Sequence, residues 1–240
     1  MEQGSIFHNN KYNGLKVLEL YSGTQSIGKE FRKRGHKVIS VELNDIFTKP
    51  PYNLDQWTMS VADLNIDEII QELDGPPDII WASPLCTTHS IAAISTHREQ
   101  KGELLYPKSE KAIEHDYLLL KTLHIIKDLK PKLYFIENPR GGMRKSPLMQ
   151  GLMYRYTITY CSYGDISMKP TDIWSNHFNP QFKEICFNGN TNCHHQSAPR
   201  GSKTGTQGKK GNLERSVIPI ELCKHIVKIC EEFINRGVME

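Results

Sequence analysis

Residues 15 to 43, "LKVLELYSGTQSIGKEFRKRGHKVISVEL", constrain the architecture more than any other stretch. "LKVLEL" is an apolar run of strand length. The next segment carries glycine at 23 and 28 and a helical pattern in Ile27 and Phe31. "KVISVEL" (37 to 43) is a second β-rich run that ends in an acid, Glu42. Strand, glycine-containing turn, helix and strand make one unit of an α/β sheet.

The alternation continues down the chain. "WTMSVADLN" predicts a third strand ending near Asp63, "IDEIIQEL" a short helix, and "DIIWAS" a fourth strand from Asp78 to Trp81. Residues 87 to 107 read as a polar loop. A helix then runs from about Lys108 to Lys130, with Ile113, Tyr117, Leu120 and Leu123 at helical spacing and Pro131 as its terminator. "KLYFIENP", "RYTITYCSYG" and "TDIWSNH" predict strands five, six and seven. Residues 179 to 214 lose all periodicity and hold glycine at 189, 201, 205, 208 and 211. "IPIELCKHIVKICEEFI" restores a helix whose apolar face includes Leu222, Ile226, Ile229 and Phe233. Such alternation predicts a doubly wound, mostly parallel seven-stranded sheet with helices on both faces, from which 179–214 emerges as a small irregular insert.

Net charge is only +3, so the chain as a whole is not a strongly basic nucleic-acid binder. Between 177 and 215, however, six Lys or Arg (183, 200, 203, 209, 210, 215) face two Glu (184, 214), a balance of +4 that leaves the remainder at −1. That concentration is the electrostatic footprint of phosphate contact. No apolar run approaches the roughly 20 residues of a membrane span. "MEQGSIFHNN" lacks the basic-then-apolar order of a signal peptide, which predicts a cytoplasmic protein without a membrane partner. The six cysteines (86, 161, 186, 193, 223, 230) are then expected as free thiols.

"WASPLCTTHS" places Cys86 on the loop just beyond the fourth strand's carboxyl end, after Pro84 has bent the backbone outward. In open α/β sheets ligands bind at that edge. "FIENP" brings Glu137 to the same edge, where a Glu beside a thiol forms an acid/base pair. The turn after the first strand, "YSGTQS", is not G-x-G-x-x-G and is a poor cradle for a pyrophosphate. S-adenosylmethionine needs no such cradle. Glu42 would accept from its ribose hydroxyls and Asp63 from its adenine amino group.

In this order the motifs resemble those of the DNA cytosine-5 methyltransferases, particularly the short forms encoded by phages and prophages. Residues 18 to 43 are similar to that family's cofactor and acidic motifs. "DIIWASPLC" is similar to its Pro-Cys nucleophile motif, "FIENP" to its Glu-Asn motif, and "ERSVIPIELCKHI" to its C-terminal motif. The resemblance implies a Rossmann-like, class I S-adenosylmethionine-dependent fold, with Cys86, Glu137 and Lys169 catalytic. It implies cofactor contacts from Tyr21, Ser22, Gly23, Thr24, Glu42, Asp63, Leu64 and Pro84. Residues 1–178 would form the catalytic and cofactor-binding domain, 179–214 the target-recognition insert, and 215–240 a helix packing back on the catalytic domain. The partner would be double-stranded DNA, met by a monomer, with Arg200, Lys203, Lys209 and Lys210 on the DNA. Residues 87 to 107 would close over a flipped cytosine.

Three departures stand against the family pattern. Leu85 replaces the middle residue of Pro-Pro-Cys, which predicts slower chemistry at most. In "SMKPT", Lys169 matches the first arginine of Gln-x-Arg-x-Arg and Thr171 replaces the second, removing a planar bidentate fork. The recognition segment is also very short. It contains "CFNGNTNCHH", whose Cys186, Cys193, His194 and His195 suit a zinc ion, although the spacing fits none of the usual pairs closely. Two other readings remain open on the sequence: an RNA (tRNA) cytosine-5 methyltransferase, and a catalytically weak cofactor- or DNA-binding protein.

Overall fold

The computed structural model describes residues 14–47, 49, 50, 52, 55–199, 206, 207 and 209–236. The chain opens with β1 (Lys16–Leu20), α1 (Ser26–Lys33) and β2 (Lys37–Glu42), then β3 (Gln56–Thr58), α2 (Ile66–Leu73) and β4 (Ile79–Ala82). A short helix α3 (Ile94–His97) leads into a hairpin of β5 (Arg98–Lys101) and β6 (Leu104–Pro107), followed by the long α4 (Glu110–Leu129). β7 (Leu133–Pro139), β8 (Tyr154–Thr159) and β9 (Pro170–Ser175) complete the strands, and α5 (Gly211–Ser216) and α6 (Ile220–Arg236) follow.

The main sheet has seven strands in the order β3-β2-β1-β4-β7-β9-β8. Its first five positions are parallel, and β9 runs antiparallel to both β7 and β8. The expected doubly wound sheet is therefore present. The chain leaves β1 toward β2 and later returns to β4 on the other side, so the crevice between β1 and β4 is the topological switch point.

Alternation along β1 divides the core. Val17 joins Ile27 and Phe31 of α1 and the buried face of α6, whereas Leu18 and Leu20 join Ile69 of α2 and Leu119 of α4. Glu19 shares the α1 side with Val17 and is buried. Its Oε1 accepts from Gly28 N at 3.0 Å and its Oε2 from the Ser40 hydroxyl at 2.6 Å. A Cβ at residue 28 would lie 2.3 Å from Glu19 Oε2, so only glycine lets α1 approach this close. Helix starts follow their capping residues. Asn65 accepts from Asp67 N before α2, and Ser109 accepts from Ala112 N before α4. Lys130 adopts a left-handed conformation at the end of α4, with Pro131 next.

Four expectations need correction. The third strand stops at Thr58, and Asp63 instead ends a 3-10 turn, Val61–Asp63, whose start is capped by Ser60. The polar stretch 87–107 is not a plain loop: it holds α3 and the β5–β6 hairpin. On α4, Ile113, Tyr117 and Leu120 are exposed, while the buried stripe is Ala112, His115, Leu119, Thr122, Ile125 and Leu129. His115 and Thr122 are tolerated inside because they bond Thr88 Oγ1 (3.2 Å) and the Tyr21 hydroxyl (3.0 Å). On α6, Leu222, Ile226 and Ile229 are buried as expected, but Phe233 stays 38% exposed and packs against the His177 ring at a tilt of 50°. Among the described residues no helix is long and apolar enough to cross a membrane.

Candidate active site

The turn after β1 is braced from within. Gly23 takes a positive φ of 50° and donates its N–H to Glu42 Oε2 at 2.8 Å, at the end of β2. Glu42 Oε1 accepts from the N–H groups of Leu43 and Asn44. Ser22 N donates to Val41 O and Gln25 N to Ser22 O. Three of the turn's N–H groups are thus already paired, which suits a ligand with no phosphate to cradle. Among the described residues only Phe47 Cζ comes within 4.0 Å of a Cβ placed at Gly23. The Ser22 hydroxyl reaches Gln56, and Thr24 bonds Ser26.

Tyr21 points into the fold, where its hydroxyl donates to Leu118 O, and burial pushes the phenol up to about 12. Gln25, which the sequence reading passed over, is buried beneath the turn. It donates to Tyr52 O and Gln56 Oε1 and accepts from Arg32. Asp63 is exposed and Leu64 half-buried. Gly23 follows β1 and the buried Pro84 follows β4, the two switch-point strands, with Glu42 at the end of the neighbouring β2 and Asp63 in the turn after β3, so the residues fit S-adenosylmethionine by fold position and donor chemistry.

The second wall of the site is the loop after β4. Cys86 is exposed, and its carbonyl accepts from His89 N at the start of a 3-10 turn, Thr87–His89. Leu85 is 42% exposed, so its side chain does not lock the loop by burial. β7 lies beside β4 with Ile136 opposite Ala82, which sets Glu137 and Asn138, near the end of β7, beside the loop that follows β4. Asn138 Nδ2 donates to Pro84 O at 2.8 Å and ties the Cys86 loop to β7. Glu137, one residue earlier, is 5% exposed and accepts from the Tyr160 hydroxyl at 3.0 Å on Oε1.

Lys169 closes this group. Its ammonium sits 4.3 Å from the centre of the Tyr160 ring and donates to Arg215 O at 2.8 Å. Burial pulls the Lys169 pKa down, while the charges of Glu137 and Cys86 pull it up. Although Cys86 keeps an exposed surface, desolvation by the surrounding protein pushes its thiol pKa up, and Glu137 adds to this; Lys169 works in the opposite direction. Tyr160 is raised well above the ordinary phenol value by burial and by Glu137, so it acts as a fixed donor. Thr171 is fully buried, with its hydroxyl on Lys169 O, and offers no side-chain fork to a ligand. Tyr160 and Asn138 are the residues here that the sequence did not single out. A buried tyrosine in a strand-like run gives no signal that separates it from core.

Arg98, buried at the foot of the hairpin, braces the turn that follows Cys86. It holds both oxygens of Asp116 on α4 and donates to Thr88 O and His89 Nε2. Burial and the Arg98 charge push His89 down to about 3, so it stays neutral. In the insert, Lys209 is paired with Asp165 and both side chains are nearly buried, whereas Lys210 is exposed. Arg200 and Lys203 lie outside the described residues. Cys186, Cys193 and His195 converge, but His194 does not join them: its Nε2 bonds Asp165 O at 2.9 Å. Cys161, just after β8, takes the fourth place.

No family profile matches the chain. A curated relative does: the "Probable DNA (cytosine-5)-methyltransferase" of Frog virus 3 is 28% identical over 221 residues, 84% of this chain and 92% of the viral protein. The chain is similar to that viral protein over most of both lengths. Among solved structures, a protein of an E. coli prophage assigned as a DNA modification methyltransferase matches with a TM-score of 0.47. It is 18% identical, with 67% of this chain and 46% of that one covered. The Dnmt2 methyltransferase of S. pombe matches with a TM-score of 0.45 at 16% identity, over 71% of this chain and 51% of its own. The chain spans about half the length of these solved structures.

Proposed function

We propose that this protein transfers a methyl group from S-adenosylmethionine to C5 of cytosine in double-stranded DNA, through a covalent bond between Cys86 and C6. The observation that supports it most is the meeting of Cys86, Glu137 and Lys169 at one sheet edge, beside the Gly23–Glu42 crevice. Glu42, Gly23, Asp63 and Pro84 would hold the cofactor, with Ser22 and Thr24 shaping the turn.

Chemistry on a duplex base requires the cytosine to leave the stack, at a cost of a few kcal/mol. The Cys86 thiolate adds to C6 while Glu137 delivers a proton to N3, so the electron pair of the C5–C6 bond becomes nucleophilic at C5. Tyr160 occupies Oε1 of Glu137, which leaves Oε2 for the base. Lys169 supports the thiolate by charge. When bound, the cofactor supplies an electrophilic methyl on a sulfonium. Loss of the C5 proton to a base and return of the electron pair to the ring then expel Cys86 and restore aromaticity. The N3 proton returns to Glu137.

The insert supports a short target of two to four base pairs, or a relaxed one. Each bidentate base contact contributes about 1 to 3 kcal/mol of discrimination and needs an ordered surface. Arg200 and Arg215 are the only arginines between 179 and 215.

The test is transfer of labelled methyl groups to DNA and, separately, to RNA, with DNA containing 5-fluorocytosine as a trap. A trapped complex in the wild type and none in Cys86→Ala is expected. Methylation by Cys86→Ala at near wild-type rate would remove the nucleophile. Transfer to RNA alone would move the substrate to the RNA class, and binding of cofactor without transfer to either would leave a binding protein.

A further inference from the structure

We propose that Cys161, Cys186, Cys193 and His195 form a closed structural zinc site that fastens the recognition segment to the catalytic sheet. The inference does not depend on the methyl-transfer reading.

The ligand atoms of these four residues all lie within 4.8 Å of one another. Cys186 Sγ and His195 Nδ1 are 3.7 Å apart. Two ligands of tetrahedral zinc, at roughly 2.3 Å for sulfur and 2.0–2.1 Å for nitrogen, are separated by about 3.6 Å. The sulfur–nitrogen spacing is therefore that of ligands about to share an ion. Three thiols and an imidazole suit zinc in kind, and four protein ligands leave no open position, which marks a structural rather than a catalytic centre.

The local backbone explains why this odd spacing converges. Phe187 and Asn190 close one turn and Asn190 and Cys193 a second, with Gly189 supplying a φ of +81° that the first requires. The chain doubles back between Cys186 and Cys193, and the next residue but one, His195, faces inward with 6% exposure. His194 points away, held by Asp165 O.

Beyond Phe182, which packs on the catalytic core, the segment has little apolar anchorage. Ile185 and Phe187 are 56% and 65% exposed. Of the described residues from 181 to 199, only His195 is buried. A segment without an apolar core needs a staple. Cys161 makes that staple reach outside the segment. It directly follows Tyr160, within the turn Tyr160–Tyr163. Cys186 N donates to Thr159 Oγ1, the Ser162 hydroxyl to Glu184 O, and Gln196 N to Ile166 O, all along the same seam. The ion would thus couple the insert to the residue that holds Glu137.

The experiment uses the full chain, purified under reducing conditions. Metal analysis should return one zinc per chain. Replacement by cobalt should give the visible absorption of a tetrahedral site, with sulfur charge-transfer intensity matching three thiolates in the unmodified protein. His194→Ala should keep the full metal content and Cys161→Ser should lose most of it. Should Cys161→Ser fail to fold, thiol labelling of the native wild type decides instead: Cys161, Cys186 and Cys193 should become reactive only after chelation. Protein that takes up neither metal would overturn the proposal. So would a disulfide among these cysteines that, once reduced, still binds no metal. Retention of zinc by Cys161→Ser with its loss in His194→Ala would overturn the ligand set.

Discussion

Tyr160→Phe isolates one oxygen atom. The ring stays beneath Lys169, 4.3 Å from the ammonium in the present structure, while the 3.0 Å hydrogen bond to Glu137 Oε1 disappears. A bond to a charged group contributes about 1.5–3 kcal/mol, and here both partners are buried, so no solvent replaces it. At about 1.4 kcal/mol per factor of ten, the ceiling on any rate effect is roughly 10- to 150-fold. Only the part of that energy that differs between ground and transition state reaches the rate. The bond fixes one carboxylate oxygen and leaves the other to the base, so its loss frees Glu137 to rotate toward Lys169 and misplace the proton donor. The expected result is a fall in single-turnover methyl transfer within that range, with cofactor affinity unchanged by calorimetry. A lower melting temperature together with a rate within about twofold of wild type would refute a positioning role and reduce Tyr160 to a core residue.

Gly28→Ala should destabilise the fold by about 1–3 kcal/mol in urea titrations, because the new methyl meets Glu19 Oε2 at 2.3 Å and Ser40 Oγ at 2.8 Å. Glu19→Gln tests the buried carboxyl itself. Burial raises the Glu19 pKa above its ordinary 4.5, so the folded state holds this proton to higher pH than the unfolded chain. Its contribution is fully present below that ordinary value and is lost as pH rises through the folded pKa, at up to about 1.4 kcal/mol per pH unit. The glutamine variant should gain on wild type across that window, and parallel stability curves would count against the assignment. Lys209→Glu should cost about 3–5 kcal/mol of stability by breaking a nearly buried pair with Asp165. Lys210→Glu should instead leave stability alone and weaken binding to all DNA sequences equally, with a shallower salt dependence. Equal effects of the two on melting temperature would contradict the distinction.

What could be read from the sequence was whatever depends on local order. β1, the glycine turn and β2 announce themselves by period and punctuation, and Cys86 and Glu137 stand out as polar groups closing apolar runs. Tyr160 and Cys161 could not be read in that way. Both follow directly on β8 in residue types that usually fill cores, and their partners lie 23 and 25 or more residues away in sequence. Apolar spacing selects the wrong stripe on α4 because the buried face carries His115 and Thr122, whose partners Thr88 and Tyr21 come from distant loops. An apolar count assigns such positions to solvent. The α4 face with Ile113, Tyr117 and Leu120 attracted the assignment although it is exposed. His194 falls in the sequence motif through adjacency to Cys193 and His195, and adjacency says nothing about which way a side chain turns.

α6 follows every strand of the sheet in chain order, yet it supplies Leu222, Cys223, Ile226, Val227, Ile229 and Cys230 to the cluster around Val17, Phe31, Trp81 and Phe135. On the ribosome, β9 is complete well before α6 exists. At about 5–20 residues per second the intervening segment delays it by several seconds. Throughout that interval one face of a nearly finished sheet, carrying Trp81 and Phe135, is open to water and to other chains. A nascent chain of this design is therefore expected to depend on holdase chaperones late in synthesis rather than early. Any copy nicked ahead of α6 would display an aromatic surface that proteases and aggregates both recognise.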